Sequence, residues 1–256
     1  MSPLVITLLI VGGIGLLLMI AYINHAVENS KLEKARLKAE LNDRIRRCAE
    51  VSESMPGQLM SPDLKLMLTV VQARYSERML AKDKANSALK ESLAELTKSI
   101  AQGESIAVKN PPARILNEQQ AKQTRFILEN LHSQITRAGQ DGILPAAEVK
   151  QWLQRVPQLL TQLHIEYFSN LGQRAMQQNQ PGQARLAFER GVQYLRKQSD
   201  PARYSATLKQ FQEQLEIANN LVLNQAPAPT DTDSELNQGL DSIGSDEDWK
   251  KKNIYD

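Results

Sequence analysis

The chain has 256 residues with 31 Lys and Arg against 29 Asp and Glu, a net charge of +2, and only 5% aromatic residues. Its 12 Gly and 11 Pro gather at a few places instead of recurring every 8 to 12 residues, which excludes a β-sandwich or barrel and predicts an all-α fold. A single cysteine, Cys48, excludes a disulfide framework and suits a reducing compartment.

Residues 4–23, "LVITLLIVGGIGLLLMIAYI", hold no charge. As a helix rising about 1.5 Å per residue, they match a hydrocarbon core of about 30 Å, so residues 1–27 are expected to form a transmembrane anchor. A cleaved signal peptide would need a basic start, a shorter apolar run and a small-residue cleavage site, and this run has none of the three. Lys31, Lys34, Arg36, Lys38, Arg44, Arg46 and Arg47 all follow the run. Positive residues near a span stay cytoplasmic, so the expectation is a single-pass protein with its amino terminus outside and its bulk inside. The compact single-span layout suggests a bacterial inner membrane.

Residues 28–54 place Leu37, Leu41, Ile45, Cys48 and Val51 at helical spacing, with Glu40 and Arg44, and Asp43 and Arg47, as favourable pairs four apart. On this face Cys48 reads as a small packing residue, not a nucleophile. Pro56-Gly57 then signals a turn, Ser61 a helix N-cap and Pro62 a first helical residue. A second helix is predicted to about Gln102, with Leu68, Val71, Tyr75, Leu89, Leu93, Leu96 and Ile100 on one heptad register and Lys82 and Asn86 interrupting it. Residues 28–102 are therefore expected to form an antiparallel helical hairpin or coiled-coil stalk. Its narrow stripe needs cover from the following domain, a partner or a second copy.

Residues 103–116 contain Pro111-Pro112, which cannot continue a helix, and read as a linker. Asn117 is a candidate cap for a helix to about Ala138. Another helix carries Val149, Trp152, Leu153, Val156, Leu159, Leu160 and Leu163 on one face, and Pro157 is expected to kink or divide it. Asp200-Pro201 opens the last helix. About five or six antiparallel helices are expected over residues 117–224.

Within that domain residues 165–198, "IEYFSNLGQRAMQQNQPGQARLAFERGVQYLRKQ", put Phe168, Leu171, Gly172, Ala175, Ala184, Phe188 and Gly191 at ordered intervals. This segment resembles the 34-residue tetratricopeptide repeat, in which small residues let paired helices approach and an aromatic fills the space between them. Phe168, Leu171, Gly172, Ala184 and Phe188 carry the resemblance. The segment departs from the repeat at Ala175, where a Tyr is usual, at Gly191 for Ala, and at Arg196, where a Pro would end the helix. The resemblance implies a peptide-binding or scaffold module.

Residues 225–256 carry eight acidic and three basic groups, open with a Pro/Ala stretch and lack helical periodicity, so a disordered acidic tail is expected. Its last residues, "DEDWKKKNIYD", set Trp249, Ile254 and Tyr255 among charges. Such a segment fits a motif that folds against a partner protein, and equally one that docks on its own domain.

Catalytic motifs are missing from the sequence. His25, His132 and His164 are far apart and lack nearby ligands at metal spacing, and no phosphate loop, dinucleotide loop or nucleophile elbow occurs. No enzyme activity, cofactor or metal is expected. Arg185, Arg190 and Arg196 could meet nucleic-acid phosphates, and the arginines at 44, 46 and 47 could meet anionic lipid or DNA. The expected function is a membrane-anchored cytoplasmic adaptor or scaffold that recruits other proteins, including membrane complexes. A membrane-tethered DNA-associated protein and a self-assembling coiled-coil stalk are the alternatives.

Overall fold

The computed structural model describes residues 3–224, with side chains described from Met19 onward except Ala21 and Ala26. Every regular element among them is helical: α1 (Pro3–Ser54), α2 (Pro62–Lys82), α3 (Ser87–Ile100), α4 (Glu118–Gln140), α5 (Ala146–Gln177), α6 (Pro181–Arg196) and α7 (Ser205–Asn224). Two 3-10 turns, Gly103–Ser105 and Pro201–Tyr204, complete the order.

The described residues overturn the expected membrane placement. No helix among them is long and apolar enough to cross a membrane, which counts against a single-pass inner-membrane protein with its amino terminus outside. The apolar run of residues 4–23 is not a separate element. It opens a continuous 52-residue helix, and the side chains of residues 3–18 lie outside the described residues. The described part of α1 soon becomes a charged surface bearing Glu28, Lys31, Glu33, Lys34, Arg36 and Lys38, all exposed.

α1 and α2 run antiparallel, as two pairs of contacts show. Lys65 Nζ donates to Ser52 Oγ at 2.8 Å near the turn, and Lys38 pairs with Asp83 at the far end. Ser61 caps α2 by accepting from Leu64 N at 3.2 Å, with Pro62 in the first turn. The second helix does not reach Gln102 unbroken. It stops at Lys82, and Asn86, which had looked like a polar seam residue, accepts from Leu89 N at 3.0 Å and caps a new helix, α3. An Asn side chain that satisfies an orphan backbone donor is worth more at a helix start than in a helix interior.

Residues 106–117 do more than link. Ile106 and Ile115 are buried, and Asn110 Nδ2 donates to the carbonyls of Ser52, Met55 and Glu53 at 2.9, 2.8 and 3.2 Å. Those carbonyls lie at the end of α1 and just past it, where helical partners run out; Ser52 O also accepts from Lys65 Nζ at 3.3 Å. Gly57 N donates to Pro111 O at 3.0 Å, and Gln58 both donates to Ala113 O and accepts from Ala113 N. The segment is an extended strap bound across the α1–α2 turn. Its far end meets α5, where Glu166 Oε1 accepts from Ile115 N at 3.2 Å and Asn170 Nδ2 donates to Ile115 O at 3.1 Å.

Asn117 caps α4 by accepting from Gln120 N at 2.9 Å. α5 continues through Pro157 as one 32-residue helix. The Pro157 ring is exposed, where it meets no packed neighbour, and one turn on Thr161 Oγ1 donates to Pro157 O at 2.9 Å. Residues 117–224 thus contain four α-helices, fewer than the five or six expected, because Pro157 does not divide α5. Asp200-Pro201 opens the short 3-10 turn before α7 instead of the helix itself.

Buried residues from Leu41 on α1 to Ala218 on α7 form one contiguous core. The hairpin helices are covered from within the chain: α1 packs on α4, Cys48 Sγ lies 3.9 Å from Gln134 Oε1, and Tyr75 Oη donates to Asp141 Oδ2 at 2.7 Å. Cys48 is wholly buried, and desolvation pushes its thiol up to about 12, which fits a packing role.

Candidate interaction surface

The residues singled out around the repeat segment come together. α5 and α6 pair antiparallel, joined by a tight turn in which Asn179 takes a positive φ of 57°. Phe168, Gly172, Ala184 and Phe188 are buried where the two helices meet, and Leu171 is half-buried beside them. Gly172 permits the approach: a Cβ there would stand 2.4 Å from Phe188 Cζ. Phe188 then reaches Phe211 of α7, with ring centroids 6.1 Å apart. Gly191 has its own cause, since a Cβ there would stand 2.6 Å from Phe211 Cε2 and 3.3 Å from Phe168 Cβ. Even the Ala usual at that repeat position would not fit without movement.

The arginines of the DNA alternative do not converge. Arg185 and Arg196 are exposed on α6, eleven residues apart and so on one face, whereas Arg190 points roughly 140° away and is half-buried. The three histidines lie on α1, α4 and α5, and no group of three or more metal-ligating side chains occurs among the described residues. His132 is half-buried and its pKa is lowered by desolvation. His164 is buried in an aromatic cluster, 4.4 Å from the Tyr194 ring, with Nδ1 at 2.9 Å from Leu160 O. Such surroundings are those of a packed side chain. Trp249, Ile254 and Tyr255 lie outside the described residues.

One feature of the surface had no counterpart in the sequence reading. A groove of about 400 Å³ opens between the start of α2, the first half of α5 and the 3-10 turn before α7. Trp152, Leu159, Ile165 and Tyr204 supply its apolar wall, and Arg155 and Arg203 flank it. The Arg155 guanidinium lies 5.0 Å from the Trp152 ring centroid and 3.5 Å from Asp63 Oδ2. The stack on Trp152 holds the guanidinium against an apolar surface, where cation and ring attract by about 0.5–1 kcal/mol at exposed sites. Asp63 is half-exposed, so its pairing with Arg155 is weak and exchangeable.

A larger depression of about 560 Å³ lies between α1, α2 and α3, walled chiefly by Ser52, Lys65, Thr69, Glu95 and Lys109. Lys65 is already held there by Ser52, and burial lowers its pKa. The first groove is the better binding surface, because an aromatic and aliphatic wall with a few convergent polar groups is the usual composition of a recognition site. Trp152 is buried in the core, as its place on an apolar helix face implies, and also lines this groove; the signal for the groove in the sequence is Arg155 three residues after it. The chain matches no protein family, no curated protein and no solved structure.

Proposed function

We propose that the protein is a helical adaptor that captures a peptide segment of a partner protein in the groove of α5. The observation that carries this reading is the groove's make-up: Trp152, Leu159, Ile165 and Tyr204 form a wall bordered by Arg155 and Arg203. Aromatic residues and arginine are the side chains that contribute most at protein interfaces. A tetratricopeptide-like pairing of α5 and α6 supports the same reading through the Gly172–Phe188 approach, and it sets the groove on a rigid helix pair. Dense chemistry is not needed for such a role.

Crosslinking capture with the full chain tests the proposal. Proteins recovered by the unaltered chain should be lost with the variant carrying Arg155→Glu and Tyr204→Ala. They should persist with Arg74→Glu, an exposed change on α2 outside the groove. Equal recovery by all three chains would overturn the groove as the binding surface.

A further inference from the structure

We infer that the groove of α5 is covered in the free protein by the chain's own segment around Asp246–Lys252, so that partner binding requires its displacement. The inference rests on the reading of that groove as a peptide site, and three observations single out this occupant.

The first is charge order. The segment reads Asp246-Glu247-Asp248-Trp249-Lys250-Lys251-Lys252, three acids, an indole and three amines. The groove offers the complement: Arg155 and Arg203 flank the wall, and Asp63 lies beside Arg155. Acids that engage the two arginines place Trp249 against Leu159, Ile165 and Tyr204. They also release Asp63 from Arg155 to meet a lysine.

The second is reach. The groove includes Tyr204, immediately before α7, and α7 ends at Asn224. Its 20 residues make a helix of about 30 Å, so Asn224 stands roughly that far from the groove. Residues 225–248 form a connection of 24 residues. A coil of that length has a root-mean-square span of about 27 Å, from roughly 5–6 Å times the square root of the residue number. Effective concentration is highest when the span of a linker matches the separation of its sites, and here the two agree.

The third is the state of the groove itself. Arg155 stacks on Trp152 and reaches Asp63 only at 3.5 Å between half-exposed side chains, so its donors are not consumed by a tight internal pair. A carboxylate from the segment can take a bidentate position on the guanidinium at little cost to the existing contacts.

The two tryptophans make the test direct. A nitroxide spin label on Ser245→Cys in the full chain would sit next to the segment, and buried Cys48 would not compete for the reagent. The Trp152 and Trp249 indole NH signals of the nitrogen-15-labelled protein are told apart by Trp152→Phe and Trp249→Phe. Docking predicts that the Trp152 signal loses most of its intensity, and that adding Arg155→Glu and Arg203→Glu to the labelled chain restores it. A Trp152 signal untouched by the label would overturn the inference. Broadening that appears only when spin-labelled and isotope-labelled chains are mixed would also overturn it, because the occupant would then be a second copy.

Crosslinking capture separates this outcome from the fate of the groove itself. If groove variants lose captured partners while the Trp152 signal stays sharp, the groove reading holds and the self-docking fails. If the label broadens Trp152 yet groove variants capture as before, the segment covers a surface that partners do not use, and the displacement inference falls with the groove reading. Changing Asp246, Glu247 and Asp248 together to Ser should raise partner capture several-fold, and unchanged or lower capture would count against displacement.

Discussion

The place of a side chain at Gly172 is taken by Phe188, whose Cζ and Cε1 would lie 2.4 and 2.5 Å from a Cβ at position 172. Phe188 is itself 1% exposed and cannot swing out without emptying the centre of the α5–α6–α7 packing. Gly172→Ala should therefore destabilise by about 1–3 kcal/mol, the usual cost of forcing an extra carbon into a filled core. Phe188→Leu alone leaves a void, but combined with Gly172→Ala it relieves the clash. The double variant should be more stable than the sum of the two single losses predicts, by about 0.5–3 kcal/mol in urea denaturation.

Gly191→Ala addresses α7. The added methyl meets Phe211, which belongs to the last helix and is its largest buried side chain. Loosening should concentrate there: trypsin cleavage after Lys209 on α7 should accelerate more than cleavage after Lys122 on α4, both exposed. Equal acceleration at the two sites would show that α7 unfolds only with the whole molecule.

Asn110→Ala removes the donor shared by the carbonyls of Ser52, Glu53 and Met55. Ser52 O keeps Lys65 Nζ and Glu53 O can turn to water, so Met55 O is the part-buried acceptor left without this donor; such a loss costs about 1–3 kcal/mol, and the denaturation midpoint should fall accordingly. Amide exchange should quicken at Gly57, whose N–H is bound to Pro111 O on the same strap. A variant with unaltered stability and exchange would mean that water replaces the amide without loss.

Cys48 and Tyr75 predict an alkaline weakening. Burial raises the Cys48 thiol from 9.0 to about 12, and burial and the hydrogen bond to Asp141 raise Tyr75 as well. Below pH 9 the thiol stays protonated in both folded and unfolded chains and pH has no effect through it. Between pH 9 and 12 the unfolded chain releases the thiol proton and the folded chain keeps it, so stability falls as pH rises, by about 1.4 kcal/mol per unit, and Tyr75 steepens the fall only above its ordinary value of 10.0. Denaturation midpoints at pH 8 to 11 should show that slope, and Cys48→Ala should reduce it. An aromatic disulfide reagent at pH 8 should modify Cys48 only after denaturant is added.

The helical character of the chain was legible because period and punctuation agree. Ser61-Pro62 and Asn117 are caps whose chemistry is local, and both cap where the sequence placed them. The small residues Gly172 and Ala184 and the ring of Phe188 were legible because their spacing reports a close helix pair. Asn86 was misread, since an Asn at a heptad position and an Asn at a helix start look alike until the neighbouring Asp83–Ala85 break is seen. The strap was hidden because its bonds join residues more than fifty positions apart, as from Asn110 to Ser52 and Ala113 to Gln58. The groove was hidden for the same reason: Asp63, Arg155 and Arg203 meet only after the turn before α2 is seated against α5.

In the strap, Asn110 grips the end of α1, and a few residues later Ile115 is fastened to Glu166 and Asn170 in the middle of α5. α1 is 52 residues, or about 78 Å, and it extends well past the helices packed on its second half. One short segment of chain thus ties the base of the long helix to the helix that forms the groove's wall.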